Sequence, residues 1–346
     1  MTVKAAFVGS GGIASVHMKG MSQNKGFQVA ACCDLMAERA KDFAQKWGIP
    51  RHYSDMDRML ETEDIDAVLV CTPNYAHMAP TIKALSQGLH VYCEKPMAMN
   101  VAEAQAMADA ARNSKALLTI GHHQRFSPAN MYIHKTQAAG DLGEVYFGRT
   151  VYRRRAGVPW WGAFHIKEKS GGGALIDIGV HVIDLALWLM GSPKPVRVVG
   201  QTYARMARQT DGQRPNQNPA KAGEFDVDDF ASAYVKMDNG ATLAIECSWN
   251  ANQGPKAENR VELYGDRGGA TTDPFAIYAA RHGEFVNILP QFLPQIDAHA
   301  AATEHFRKAI EGEAEILVKP EETVNVQKIL DGIYRSSTTG EEVVYS

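Results

Sequence analysis

Along the first third of the chain, short apolar runs rich in β-branched residues alternate with amphipathic ones. "AAFVG", "FQVAACCD", "DAVLVCTP", "HVYCEKP" and "ALLTIGH" read as strands. Between them lie "IASVHMKGMSQ", "AERAKDFAQKWG", "HMAPTIKALSQG" and "VAEAQAMADAARNS", whose apolar positions recur at helical spacing. Gly48 ends the second of these helices. Parallel strands need a crossover, and a helix is the usual one, so this order predicts a parallel sheet with helices on both faces.

The pattern changes after about residue 122. "VYFGRTVYRRR", "VRVVGQTYARM", "DDFASAYVKM", "ATLAIECSWN" and "NRVELYG" are longer runs with period-two alternation. Asn239-Gly240 sits between two of them and predicts a type I′ hairpin. The expected architecture is an N-terminal α/β domain over residues 1–122 followed by an α+β domain over 123–346. The second domain should hold a large, mostly antiparallel open sheet with helices on one side. A bare sheet face commonly packs on another subunit, so a homodimer or homotetramer through that sheet is expected. Residues 208–224, "RQTDGQRPNQNPAKAGE", read as a polar loop.

Composition narrows the function classes. A chain of 346 residues with 45% apolar and 22% charged content is globular and large enough for two cores. Its net charge of -3 gives no electrostatic case for nucleic acid or an anionic membrane. The most apolar segment, "ALIDIGVHVIDLALWLMG", carries Asp177, His181 and Asp184, and is too short and polar to span a bilayer. The N-terminus enters a strand almost at once, without a signal pattern. The five cysteines lie in apolar runs without metal-ligand spacing, as reduced thiols of a cytoplasmic protein would.

The candidate chemistry begins at "FVGSGGIA". Gly9 permits a tight turn, Gly11 allows close backbone approach to a pyrophosphate, and Ala14 lets the helix pack tightly on the strand. Gly12 and Ile13 share that helix N-terminus, whose free N–H groups suit an anion. Asp34 ends the second strand 20 residues after Ala14, where a carboxylate can accept both adenosine ribose hydroxyls. The same carboxylate repels a 2′-phosphate, which favours NAD over NADP, although Arg39 is close enough to soften that preference. Thr72, Pro73 and Asn74, at the tip of the third strand, are expected along the dinucleotide path. His77 is a candidate for the path or for capping and packing.

Glu94, Lys95 and Pro96 stand at the tip of "HVYCEKP". There Glu94 can bond the nicotinamide ribose, Lys95 can hold its ammonium over the reacting carbon, and Pro96 fixes the chain direction, with a cis bond as an option. In the second domain the apolar helix after Gly171–Gly173 carries Asp177, His181 and Asp184 at i, i+4 and i+7. Asp177 and His181 suit a carboxylate-oriented general base, a satisfied core pair being the alternative. A metal site joining them to His122 and His123 lacks a third ligand at helical spacing, so no metal is expected.

Taken together, Gly9-Ser-Gly11-Gly-Ile-Ala14, Asp34, Thr72-Pro73-Asn74, Glu94-Lys95-Pro96 and Gly173-x-x-x-Asp177-x-Gly-x-His181-x-x-Asp184 resemble the glucose-fructose oxidoreductase / inositol dehydrogenase / rhizopine catabolism (Gfo/Idh/MocA) family. The resemblance implies an N-terminal Rossmann domain, a C-terminal domain with a large open sheet, and oxidation of a secondary ring hydroxyl of a sugar or polyol, or the reverse. It implies Lys95, Asp177 and His181 as the catalytic trio, with His181 taking the hydroxyl proton and Lys95 stabilising the alkoxide. Asp177 would hold one of the other two. Glu94 and Asp34 would contact the riboses.

The substrate is less constrained. Trp160 and Trp161 can stack on a sugar ring or serve packing, and Arg154 precedes them. "RRRxGxPWWGxF" resembles the segment in members acting on glucose-type pyranosides, including levoglucosan. His123 and Arg125 of "GHHQRF" are candidates to face the pocket, or, for Arg125, to lock the domain junction. Two other functions compete: a glycosidase or lyase using NAD transiently, which the residues do not exclude, and a dinucleotide sensor without chemistry, against which the intact Lys95, Asp177 and His181 argue.

Overall fold

Alternate residues of the N-terminal strands are buried on opposite sides of one sheet, which is why these strands read as continuous apolar runs. In the computed structural model, which describes residues 2–24, 26–212 and 215–345, the strands are β1 (Val3–Val8), β2 (Phe27–Cys33), β3 (Arg51–Tyr53), β4 (Ala67–Val70), β5 (His90–Cys93) and β6 (Leu118–Ile120). Their order is β3-β2-β1-β4-β5-β6 and every pairing is parallel. The helices are α1 (Gly12–Ser22), α2 (Ala37–Trp47), α3 (Met56–Thr62), α4 (Met78–Ser86) and α5 (Val101–Asn113). Val68, Val70, Val91 and Cys93 join one core cluster, while Ala67, Leu69 and Tyr92 join the other. Both faces are therefore covered, and the strand order reverses between β1 and β4.

The short edge strand β3 and the helix α3 are absent from the sequence pattern because Arg51 and His52 are exposed and carry no apolar rhythm. Gly48 adopts φ +67 and caps α2, as its position requires. The chain partitions into Met1–Ser127 with Ile296–Val324, and Pro128–Gln295 with Asn325–Ser346. A division at residue 122 does not anticipate the returning segment. Its helix Ala298–Ile310 buries Ala302 and Phe306 in the second of the N-terminal clusters, and Gly20 on α1 lets Ala300 approach closely.

The second unit is built on nine strands ordered β14-β13-β12-β11-β7-β10-β9-β8-β15. They are β7 (Val145–Arg153), β8 (Pro195–Tyr203), β9 (Phe230–Met237), β10 (Thr242–Ser248), β11 (Glu258–Gly265), β12 (Gly268–Thr272), β13 (Phe275–Arg281), β14 (Glu284–Ile288) and β15 (Val343–Val344). All neighbours are antiparallel except β7 and β10. The β9–β10 hairpin forms where Asn239-Gly240 places it, but its turn is not type I′. Met237 pairs with Ala241, its N–H donating to the Ala241 carbonyl at 2.8 Å, so the loop has three residues and only Gly240 is left-handed, at φ +87. That is a type I turn closed by a glycine bulge. Of the polar loop 208–224, Gln213 and Arg214 lie outside the described residues.

One face of this sheet, lined by Leu243, Ile245 and Cys247, is buried. The apolar helix covers the inner strands: a π-helical turn at Leu175–Gly179 runs into an α-helix at Val180–Leu189, all ten residues of which are buried. The helix Lys167–Leu189 is long and apolar enough to cross a membrane, yet 94% of its most apolar window is buried inside the protein. The opposite face carries the ion pairs Arg149–Glu246 (3.0 Å), Arg153–Glu246 (2.8 Å) and Arg153–Glu258 (2.5 Å).

Candidate functional site

At the carboxyl edge of the N-terminal sheet, Gly9 turns the chain out of β1 with φ +93; a Cβ there would stand 2.5 Å from the Cys71 carbonyl oxygen. Only glycine fits this turn. Gly11 is the N-cap of α1 and Gly12 its first residue, and neither has an atom within 4 Å of where a Cβ would stand, so the helix N-terminus is open to a ligand. Ala14 is fully buried against the sheet and Ile13 packs on the same cluster. The Asp34 carboxylate accepts the Ser10 N–H and the Met36 N–H, each at 3.0 Å, with the Arg39 guanidinium 3.7 Å away. These two backbone donors fix the acid at the tip of β2 with lone pairs to spare. The glycine cradle, the open helix end and the fixed acid fit a dinucleotide.

Thr72 and Asn74 begin the loop after β4, where the Thr72 hydroxyl donates to the Ala76 carbonyl at 2.7 Å and Pro73 precedes a short 3₁₀ turn at Asn74–Ala76. His77 packs between two strand tips. It is 1% exposed, with Nδ1 at 2.7 Å from the Pro96 carbonyl and Nε2 at 2.9 Å from that of Thr72. The ring braces the β4 tip to the β5 tip.

The β5 tip carries Glu94 and Lys95 side by side. Glu94 is 5% exposed, with Oε1 at 2.5 Å from His17 Nε2 and Oε2 accepting the Lys95 N–H at 3.1 Å. Burial alone would push this carboxyl up. The hydrogen bond and charge of His17, aided by Lys95 and His299, outweigh it and bring the pKa to about 2. Gly121, at the end of β6, leaves the space that Glu94 fills, since a Cβ there would lie 2.8 Å from Oε1. Lys95 follows, partly buried, and the Lys95–Pro96 bond is cis.

After β6, His123 stacks on His299 with ring centroids 3.8 Å apart and planes 18° from parallel. Burial first, then the neighbouring His299 charge, pushes His123 down to about 3. Arg125 is 1% exposed, pairs with Glu322 at 2.5 Å and donates to the Leu317 carbonyl at 3.1 Å. It fastens the returning segment to its own unit.

In the second unit, Asp177 belongs to the π-helical turn and accepts the Trp249 indole N–H at Oδ2, 2.9 Å away. His181 lies in the α-helix that follows, 9% exposed, and Asp184 is buried. The expected straight i, i+4, i+7 stripe is therefore widened at its first member. Arg154 lies over the Tyr152 ring at 5.1 Å and donates to its hydroxyl at 3.0 Å. The tryptophan pair divides. Trp160 packs on Phe225 with centroids 5.8 Å apart and donates to the Asn216 carbonyl at 2.7 Å, whereas Trp161 is 68% exposed. Trp160 is thus a packing residue, and Trp161 keeps an open face. Among the described residues no three His, Cys, Asp or Glu side chains are grouped to hold a metal.

His17, His299 and Trp249 escaped the sequence reading. Nothing marks His17 within its helix. Trp249 did carry a signal, because it continues the alternation Leu243, Ile245, Cys247 onto the buried face.

A family model described as "Oxidoreductase family, NAD-binding Rossmann fold" matches residues 3–122, and one described as "GFO/IDH/MocA C-terminal domain" matches 131–271. The chain is 32% identical over 343 residues to D-glucoside 3-dehydrogenase of Escherichia coli, covering 99% of this chain and 97% of that one. It is 26% identical over 332 residues to scyllo-inositol 2-dehydrogenase (NAD(+)) of Bacillus subtilis, covering 94% and 91%. Among solved structures, aldose-aldose oxidoreductase from Caulobacter crescentus, complexed with glycerol, superposes with a TM-score of 0.81 at 27% identity over all of both chains.

The buried histidines set a pH dependence. His123 titrates at about 3 when folded but at the ordinary imidazole value near 6.5 when unfolded, and burial lowers His77 and His299 too. Below pH 6.5 the unfolded chain takes up protons that the folded one refuses, so stability present above that pH is lost as pH falls towards 3. Unfolding midpoints in urea should drop between pH 7 and 4, and His123→Asn should flatten the slope by up to about one proton. Parallel curves for the variant and the parent would contradict the assignment.

Proposed function

We propose that this chain, which belongs to the GFO/IDH/MocA oxidoreductase family, oxidises a secondary ring hydroxyl of a glucose-type pyranoside, with C3 as the reacting carbon. The family and its NAD-binding domain make it an NAD-dependent dehydrogenase of the sugar and cyclitol type. The finer assignment rests on the likeness to D-glucoside 3-dehydrogenase along nearly the whole of both chains. The observation that carries the chemistry is the β5 tip, where a partly buried lysine follows an acid held from behind by His17.

In this reading Gly9, Gly11, Gly12, Ile13 and Ala14 cradle the pyrophosphate, and Asp34 accepts the adenosine ribose hydroxyls. Asp34 also supports NAD over NADP, since a 2′-phosphate would meet its charge. NAD, when bound, supplies the acceptor for the hydride that leaves the carbinol carbon. Lys95 donates to the hydroxyl oxygen and stabilises the negative charge that grows there. His181 takes the hydroxyl proton, and Asp177 holds Lys95 or the imidazole in position. Glu94 supports Lys95 from its buried place. Trp161 and Arg154 are candidates for the sugar's apolar face and its hydroxyls. The five buried, unbridged cysteines support a reducing, cytoplasmic compartment, which cell fractionation tests.

The outer face of the nine-stranded sheet supports a homo-oligomer. Around its ion pairs stand Tyr234, Tyr264, Tyr278 and Phe285, at 48%, 42%, 43% and 97% exposure, more aromatic surface than a solvated face ordinarily shows. Sedimentation should give a dimer or tetramer that Tyr234→Glu with Tyr264→Glu converts to smaller species. A monomeric parent would contradict this.

Lys95→Ala should abolish turnover of methyl β-D-glucoside or levoglucosan while NAD affinity by calorimetry stays within about threefold, because the lysine acts on the substrate oxygen. His181→Ala should lower kcat roughly 10²–10⁴-fold, the scale of general-base removal. Parental turnover in the lysine variant, or an unchanged pH profile in the histidine variant, would overturn these roles. Glycoside cleavage without accumulated NADH would replace dehydrogenation by the transient use of NAD.

A further inference from the structure

Trp249 follows directly on β10 and continues its buried face, and it is the largest fully buried side chain among the described residues. A buried indole N–H needs an acceptor, and here the acceptor is the Asp177 Oδ2 at 2.9 Å. The turn that carries Asp177 is fastened separately. Asp228 Oδ1 accepts the Gly173 N–H at 2.7 Å and the Tyr334 hydroxyl at 2.8 Å, and Oδ2 accepts the Leu175 N–H at 2.8 Å. The Ala174 N–H donates to the Asp228 carbonyl at 2.9 Å, while the Trp249 N–H donates to the Asp229 carbonyl at 2.9 Å. Two successive residues thus hold the backbone of the π-helical turn and the backbone of the tryptophan. Gly173 has no room for a side chain, since a Cβ there would stand 1.8 Å from the Asp228 carbonyl oxygen.

We infer that Trp249 is a positioning residue for the reaction: its indole N–H fixes the Asp177 carboxylate in one orientation, one helical turn before His181. The π-helical turn gives the carboxylate its place, and the frame around Asp228 keeps that turn from relaxing to an ordinary helix. A hydrogen bond to a charged acceptor is among the stronger kinds, so its removal should be visible in the rate rather than only in folding. This rests on the assignment of Asp177 to the reacting set.

The test replaces Trp249 by Phe and, to keep the packing, by the benzothiophene analogue in which sulfur stands for the indole N–H. Both should lose kcat roughly 10-fold or more with KM changed less than about threefold, the analogue at parental thermal stability. The limb of the kcat profile that reports the general base should shift in pH. In an Asp177→Asn background the same replacements should cost little further, because the acceptor they act through has already lost its charge. In the unreplaced protein, the ¹⁵N-indole resonance of Trp249 should move on Asp177→Asn substitution, a readout that needs no turnover.

Parental kcat and pH profile in the analogue, or an unmoved indole resonance, would overturn the inference while leaving Asp177 in its role if Asp177→Asn is slow. Parental turnover in Asp177→Asn would overturn the role of Asp177 itself, and this inference with it.

Discussion

A sheet covered on both faces leaves its strand ends as the place where charge can meet a ligand. The N-terminal sheet is buried on both sides, so Gly9, Asp34, Thr72, Lys95 and His123 collect at the carboxyl ends of β1, β2, β4, β5 and β6. The reversal of strand order between β1 and β4 opens a crevice there. Every functional assignment in this unit follows from that constraint: the glycines where a backbone must come close, the acid where ribose hydroxyls would lie, the lysine at the far tip.

The same constraint makes buried acids expensive unless donors surround them. Glu94 is satisfied by His17 and by the backbone of the lysine it precedes. Asp228 is satisfied by two backbone N–H groups and a tyrosine, and burial still raises its carboxyl. Asp177, only partly buried, receives an indole N–H. In each case a side-chain donor from another element, His17, Tyr334 or Trp249, fixes the acid within its turn. Rigid placement of this kind is what lets a lysine or an imidazole act without first reorganising.

Much of this was legible in the chain. Periodicity revealed both sheets, the parallel and the mostly antiparallel, and the glycine cradle was readable because only a tight turn explains Gly9. What could not be read has physical causes. β3 and β12 are short or built of small residues, so they carry little apolar rhythm. The return of Ala298–Ile310 to the N-terminal unit depends on packing between residues almost three hundred positions apart, such as Gly20 and Ala300. The inward turn of Glu94 needed His17, whose helix shows no spacing that singles it out. Trp160 and Trp161 are neighbours in sequence but diverge in burial, because only one of them meets Phe225.

The central claim is that the carbon–hydrogen bond of a ring carbinol passes its hydrogen directly to the cofactor while this chain's side chains manage only the hydroxyl proton. Methyl β-D-glucopyranoside deuterated at C3, incubated with the protein and NAD, tests it by the mass of the reduced cofactor. About one deuterium per NADH formed is predicted, with a matching 3-keto product. NADH free of deuterium, or no reduction at all across glucosides and anhydro sugars, would contradict the account.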